Sequence, residues 1–338
     1  MYKITLLPGD GIGPEIIQSV KSVIDAAGVP IKWDEHLVGE MAFYKYGSPL
    51  PENAINSIKT NKIALKGPVT TQVIGGFKSV NVSLRQMFDL YANIRPVKLL
   101  PGVETMFKDV DIVIFRENTE DLYAGIEHVI DHDRVEAVKV ITRSASRRIV
   151  MRAFDYARQN GRKKVTAVHK ANIMKKSDGL FLEEARLAAN KYEDIQYEEL
   201  IVDNACMQLV QRPEKFDIVV TENLYGDILS DLCAGLVGGL GVVPGINAGN
   251  EYMIFEAVHG SAPDIAGKNK ANPLALLLSA IEMLKFLKEH KAADLIQQAI
   301  YQLLETGSCL TPDLGGSATT TEMTQELCDL INRIGEYN

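Results

Sequence analysis

Apolar and polar positions alternate along the chain in two rhythms. An apolar run from Lys3 to Leu7 stops at Pro8, Gly9 and Asp10. A helical pattern then runs from Pro14 to Ala27, with apolar residues at Ile16, Ile17, Val20, Val23 and Ile24. That spacing of one, three and four predicts a helix with one buried face, so the chain opens as a strand followed by a helix. Ile63–Leu65, Ile112–Phe115, Val165–His169 and Ile218–Thr221 are further short apolar runs, each followed by a polar loop and usually by a helical pattern. The fold class expected is α/β with a mixed sheet.

Two segments depart from this rhythm. Gly125 to Ile130 and Arg134 to Thr142 read as strands joined by the polar turn Asp131-His132-Asp133. An exposed hairpin offers open edges to a second chain, and it is expected to be a contact between subunits, although a plain surface hairpin has the same pattern. The longest uncharged stretch, Leu232 to Asn250, is rich in glycine and contains a proline, and it reads as a close-packed helix running into a loop.

Composition narrows the class of protein. With 338 residues, 46% hydrophobic and 24% charged, one large or two medium domains are expected at about 150 residues per domain. Such a chain can bury a sizeable core without a disulfide or a structural metal. Cys206, Cys233, Cys309 and Cys328 are scattered with no CxxC spacing, which argues against a zinc finger, a redox pair or a secreted disulfide framework. A net charge of −8 weighs against a nucleic-acid or acidic-membrane partner. The first apolar run is too short for a secretory segment, and no stretch approaches the ~20 apolar residues of a membrane span. A cytoplasmic location is expected.

Several positions could carry chemistry. The loop Leu7-Pro-Gly-Asp-Gly-Ile-Gly-Pro-Glu15 lies between a strand and a helix, where phosphates are often held, yet Gly13 comes one residue early for G-x-G-x-x-G and Pro14 fills the third glycine position. A tight turn with proline in the first helical turn explains it equally well. Asp227 and Asp231, four apart on a helical pattern, can share one face, and with Asp203 they offer hard oxygen ligands suited to Mg²⁺ or Mn²⁺. A solvated acidic face has the same spacing, but apolar Leu229, Leu232, Cys233 and Leu236 put the aspartates near a buried helix, where carboxylates need cations. Arg85, Arg95, Arg116 and Lys170 accompany them, the last two at strand ends, where α/β proteins place their sites. Forked guanidinium donors suit carboxylates, although Glu117 and Glu120 offer Arg116 a plain ion pair. A lysine whose pKa is lowered by neighbouring cations can act as a base. Tyr123 could donate a proton or simply pack. His169 and His259 have no nucleophile elbow beside them, and Asp264 in the turn-rich loop after His259 could accept hydrogen bonds from ribose hydroxyls.

Taken in order, these blocks resemble the decarboxylating 2-hydroxyacid dehydrogenases that include the isocitrate, homoisocitrate and isopropylmalate enzymes. The resemblance runs from Leu7–Glu15 through Phe88–Pro96, Arg116–Glu120, Val168–Met174 and Asn223–Asp231 to His259–Gly267, essentially the whole chain. It implies two α/β domains about a central mixed sheet rather than a standard Rossmann fold. Residues 1–90 with 238–338 would form the large cofactor-binding domain, and 91–237 a small domain with a dimer clasp near 124–143. The nearer likeness is to the NAD-dependent isocitrate branch.

That likeness implies roles. Ser79 and Asn81 would hydrogen-bond the carboxylate that distinguishes isocitrate, since a buried hydroxyl and amide reject an apolar substituent by being left unpaired. Arg85, Arg95 and Arg116 would clamp the remaining carboxylates. Asp227 and Asp231, with Asp203 of the neighbouring subunit, would hold Mg²⁺ or Mn²⁺. Lys170, also reaching across the dimer, would assist proton removal, and Tyr123 would protonate the enol left by loss of CO₂. NAD would be bound by Thr71, Asn172, Glu256, His259, Gly260, Asp264, Ile265 and Asn272. Relatives that use NADP resemble one another in a lysine and a tyrosine where this chain has Asp264 and Ile265, and Asp264 would repel a 2′-phosphate. No Lys or Arg occurs between Ser308 and Glu326, where those relatives add phosphate ligands. A homodimer with shared active sites, with room for a higher oligomer, is the expected assembly. The rival readings are homoisocitrate oxidation and a regulatory, non-catalytic role within a hetero-oligomer.

Overall fold

The computed structural model describes residues 1–70 and 79–336. In chain order its elements are β1 (Tyr2–Leu7), α1 (Gly13–Ala26), β2 (Ile31–Glu35), α2 (Glu40–Tyr46), α3 (Glu52–Asn61), β3 (Ile63–Lys66), α4 (Val80–Met87), β4 (Ala92–Lys98), β5 (Asp111–Glu117), β6 (Glu127–Asp131) and β7 (Arg134–Ala137). There follow α5 (Arg143–Gln159), β8 (Lys164–His169), α6 (Ser177–Ala189), β9 (Gln196–Ile201), α7 (Val202–Gln211), β10 (Ile218–Thr221), α8 (Asn223–Leu236), β11 (Pro244–Ala248), β12 (Met253–Ala257), α9 (Leu274–Phe286), α10 (His290–Thr306) and α11 (Thr320–Glu336).

Ten strands form one mixed sheet in the order β2-β1-β3-β12-β11-β4-β5-β10-β8-β9. Pairing is antiparallel at β12/β11, β11/β4 and β4/β5 and parallel elsewhere, so two parallel sets meet through a central antiparallel seam. The first and last segments of the chain supply β2, β1, β3, β12 and β11, and the middle segment supplies the other five. The apolar stripe of α1 at Ile16, Ile17, Val20, Val23 and Ile24 is buried, as its spacing requires. That helix packs with α11, α10 and α9 in the main core. A smaller core around Leu7, Ile58, Ala64, Leu84 and Ile254 seats α3 and α4.

The Gly9–Gly13 loop is a packing joint. Its Asp10 and Ile12 amides donate to the carbonyls of Pro68 at 2.8 Å and Ser261 at 2.9 Å. Gly11 has φ of +58°, and a Cβ there would stand 1.9 Å from the Ser261 carbonyl oxygen. The Asp10, Ile12 and Gly13 amides are thus spent on the chain itself.

Two expectations are corrected. Leu232–Asn250 does begin in a helix, since α8 runs to Leu236, but the segment after it is not only a loop: the fully buried strand β11 lies within it. Pro, Gly and Asn masked its strand character, and pairing on both edges overrides their propensity. The second hairpin strand ends at Ala137 instead of Thr142, because Lys139 turns inward to buried Asp178 and Glu222, at 2.6 Å from each.

Candidate active site

Alternation along β4 puts Asn93 and Arg95 on one face and Ile94 and Pro96 on the other. Opposite Asn93 stand Arg116 of β5 and Asn247 of β11, and opposite Lys66 of β3 stands Glu256 of β12. The seam therefore presents one polar face, to which α4 adds Arg85 and α8 adds Asp227, Ser230 and Asp231.

Arg85, Arg95 and Arg116 cluster with side chains 12%, 8% and 1% exposed. Burial lowers Arg85 to about 10, with Arg116 and Arg95 adding to the effect and Glu256 opposing it. Burial and Arg116 likewise lower Arg95. Arg95 donates to Asn93 Oδ1 at 2.9 Å, Ser230 Oγ at 2.6 Å and Asp231 at 2.9 Å. Arg116 donates through Nε to Asn223 Oδ1 at 2.8 Å and through Nη1 to Asp227, so its partners come from neighbouring α8 and not from Glu117 or Glu120. Arg116 Nη2, Arg85 Nε and Asn81 Oδ1 are buried with no partner among the described residues. Four cations, Lys66 included, face three carboxylates, Glu256, Asp227 and Asp231. Buried cationic donors left open in this way call for an anionic ligand.

Asp227 and Asp231 share one face of α8, as their spacing requires, but that face is open: their side chains are 39% and 56% exposed. The helix is buried through Leu229, Cys233 and Leu236 on its other side, which corrects the expectation of buried carboxylates. Burial works to raise the Asp227 pKa, and Arg116, Tyr123 and Arg95 outweigh it, holding the group ionised below its ordinary range. Tyr123 donates to Asp227, and the Arg116 guanidinium stacks 5.0 Å from the centre of its ring. Burial and Asp227 raise the phenol's pKa.

Lys170 and Asp203 pair with each other at the surface, and neither bonds to the arginine cluster. Within one chain the neighbour of Lys170 is thus an acid rather than the cations expected. No group of three His, Cys, Asp or Glu able to hold a metal forms among the described residues. Two carboxylates with water and substrate make an adequate set for Mg²⁺, so Asp227 and Asp231 fit a divalent cation.

The expected cofactor residues are spread over several places. Nδ1 of half-buried His259 donates to the Gly260 carbonyl at 2.9 Å, while its Nε2 is buried without a partner among the described residues. Gly260 is exposed with open space around it, Asp264 is exposed, and Ile265 is half-buried. Asn272 is buried, donating to Asp313 at 2.9 Å and accepting from the Leu274 amide at 2.9 Å. Asn172 is exposed in the turn after Lys170. Glu256 lies inside the sheet, bonded to Lys66 at 2.7 Å and Asn247 at 2.6 Å, and although burial opposes ionisation, Lys66 and Arg85 hold it at about 2. Ser79 caps α4 half-buried, and Thr71 lies outside the described residues. An orphaned ring nitrogen beside an open glycine fits a nucleotide base. His169 is spent locally, its Nδ1 accepting from the Ala171 amide at 3.0 Å.

Sequence reasoning missed Lys66, Asn93, Asn118, Asn223 and Asn247. For Asn93 the signal available was polar residues at every second position of β4, which a search for apolar runs passes over; the other four lie on separate segments and carried no such pattern.

The sequence profile of isocitrate/isopropylmalate dehydrogenases matches residues 3–330. The Arabidopsis thaliana mitochondrial isocitrate dehydrogenase (NAD) catalytic subunit 5 is 53% identical over 96% of this chain and 87% of its own length. A mitochondrial isocitrate dehydrogenase (NAD) regulatory subunit of Dictyostelium discoideum is 52% identical over 98% and 92%. The crystal structure of isocitrate dehydrogenase from Methylococcus capsulatus superposes with a TM-score of 0.95 at 50% identity, over 98% of this chain and all of that one.

Proposed function

This chain belongs to the isocitrate/isopropylmalate dehydrogenase family, and on that premise we propose that it is a catalytic chain that oxidatively decarboxylates isocitrate to 2-oxoglutarate with NAD⁺ and Mg²⁺ or Mn²⁺. The observation that carries the reading is the cluster of largely covered Arg85 with buried Arg95 and Arg116, beside Asp227, Asp231 and Tyr123. Identity alone does not separate catalytic from regulatory relatives, since both kinds match equally well. The intact set of Arg85, Arg95, Arg116, Tyr123, Lys170, Asp203, Asp227 and Asp231 favours catalysis.

Bound NAD⁺ would supply the hydride acceptor, and Asp227 and Asp231, with Asp203 of a second chain, would hold a divalent cation whose positive charge would stabilise negative charge on the substrate oxygens. The arginines orient the substrate carboxylates, and Ser79 and Asn81 meet the one that isopropylmalate lacks. Lys170 of the second chain takes the hydroxyl proton as hydride leaves C2. The β-carboxylate departs as CO₂, its bonding pair remaining as an enolate, and Tyr123 delivers the proton to C3. Near His259, Asp264 would accept from the ribose hydroxyls of the bound cofactor. The exposed hairpin β6–β7 supports pairing with a second chain, either a copy of this one or a related polypeptide, as the names of the catalytic and regulatory relatives suggest.

The test is initial rates of nicotinamide reduction by the purified chain with Mn²⁺, comparing isocitrate, homoisocitrate and isopropylmalate, each with NAD⁺ and NADP⁺. Preference for isocitrate with NAD⁺, abolished by EDTA, is expected. Preference for homoisocitrate would overturn the roles of Ser79 and Asn81, and no turnover would favour a regulatory role.

A further inference from the structure

We propose that Asn247 is a positioning residue that sets the spacing of the arginine clamp across the central seam, an inference resting on the isocitrate reading above. Asn247 is 3% exposed, on β11, where the strands of the outer segments meet β4 of the middle segment. Its Oδ1 accepts from Asn93 Nδ2 at 2.9 Å and from Asn118 Nδ2 at 3.0 Å, and its Nδ2 donates to Glu256 at 2.6 Å. Ionised Glu256 can only accept, so the amide orientation is fixed by its partners. Outward from Asn247 the chain of contacts ends on an arginine at each side. Asn93 accepts from Arg95 Nε at 2.9 Å, and Glu256 stands 3.7 Å from Arg85 Nη2. Arg85 belongs to the first segment and Arg95 to the middle one, and the Asn247 side chain is the link between their partners.

Sheet pairing does not require this side chain. The β11/β4 ladder is a backbone pairing, antiparallel with Ile246 facing Ile94, Asn247 facing Asn93 and Ala248 facing Ala92. An apolar residue would leave two buried amides and a carboxylate each short of a partner. A carboxylate would keep the acceptor but put a like charge against Glu256. The amide alone supplies an acceptor toward the middle segment and a donor toward the outer one.

Asn247→Ala and Asn247→Asp are compared with wild type and with Ile300→Val in the core of α10, by initial rates and by calorimetric titration with isocitrate and Mg²⁺. Asn247→Ala is expected to raise KM and Kd for isocitrate about tenfold while KM for NAD⁺ stays within about twofold. Isosteric Asn247→Asp is expected to weaken isocitrate binding at least as much, because its charge subtracts from the clamp. Its defect should shrink as pH falls from about 8 to about 6 and the neighbouring carboxylates share a proton. The proposal is overturned if both variants only lower Tm, as Ile300→Val does, and leave isocitrate binding unchanged. Wild type that binds isocitrate without turnover would refute the functional reading alone, and wild type that binds none would refute both.

Discussion

A phenol is a weak acid in water, and Tyr123 is weaker still. Burial and the adjacent Asp227 carboxylate both favour its protonated form, with Arg116 opposing them from above the ring. The hydroxyl therefore keeps its proton through neutral pH, as a donor must. Tyr123→Phe, which retains the ring under Arg116, should lower kcat about 100-fold and leave KM for isocitrate within about threefold, as measured by steady-state rates. A KM rise that matches the kcat loss would make Tyr123 a binding group. Charged members of the site were legible as residue types: Arg85, Arg95, Arg116, Asp227 and Asp231 announce anion and cation chemistry wherever they fall. Asn93, Asn118 and Asn247 were not, because a neutral amide carries no such bias and its importance lies in which partners the strands bring to it.

At the scale of elements, α8 does two tasks through adjacent positions. It carries Asp227 and Asp231 on its open face, while Gly226 lets it lie against the stem of Arg116. A Cβ at Gly226 would stand 2.5 Å from Arg116 Cγ. Gly226→Ala should therefore displace the guanidinium and cut kcat/KM for isocitrate by about 100-fold, at a stability cost of about 1–3 kcal/mol. Full activity with an unshifted Tm would show that β5 and α8 can move apart freely. The hairpin β6–β7 exposes Val129 by 77% and Val135 by 61%. Val129→Asp with Val135→Asp should reduce the molar mass in light-scattering chromatography if the hairpin joins two chains, and leave it unchanged if it is only a surface ornament. Strands buried on both faces were legible from their apolar runs, as β10 was to the residue. The edge strands β2 and β9 carry charges, and the seam strands β4, β11 and β12 carry the polar face of the site, so their patterns broke the apolar rule.

For the whole molecule, assembly and pH are the levers. If Lys170 and Asp203 of one chain complete the site of another, then Lys170→Ala and Asp227→Asn, each inactive alone, should regain about a quarter of wild-type activity when dissociated and reassociated together, since half the pairs are hybrids with one intact site. No recovery would place both residues in one chain's site. Stability should also track Glu222. Burial pushes its carboxyl up to about 8, against Lys139 and with Asp178 adding. Near its ordinary value of 4.5 the unfolded chain releases the proton first. Stability from this group is thus full below that value and is lost as pH rises toward about 8. The fall of Tm from pH 5 to 8 should flatten in Glu222→Gln, and an unchanged slope would assign it to other groups. By itself, the sequence determined the strand–helix rhythm, the family-like blocks and the charged inventory, because apolar periodicity and residue chemistry are local properties of the chain. Only the tertiary structure decided that three arginines from two segments share one buried face, that neutral amides join them, and that Lys170 and Asp203 stand apart from Asp227. Those facts depend on strand order and register, which are settled by pairings between residues more than a hundred positions apart.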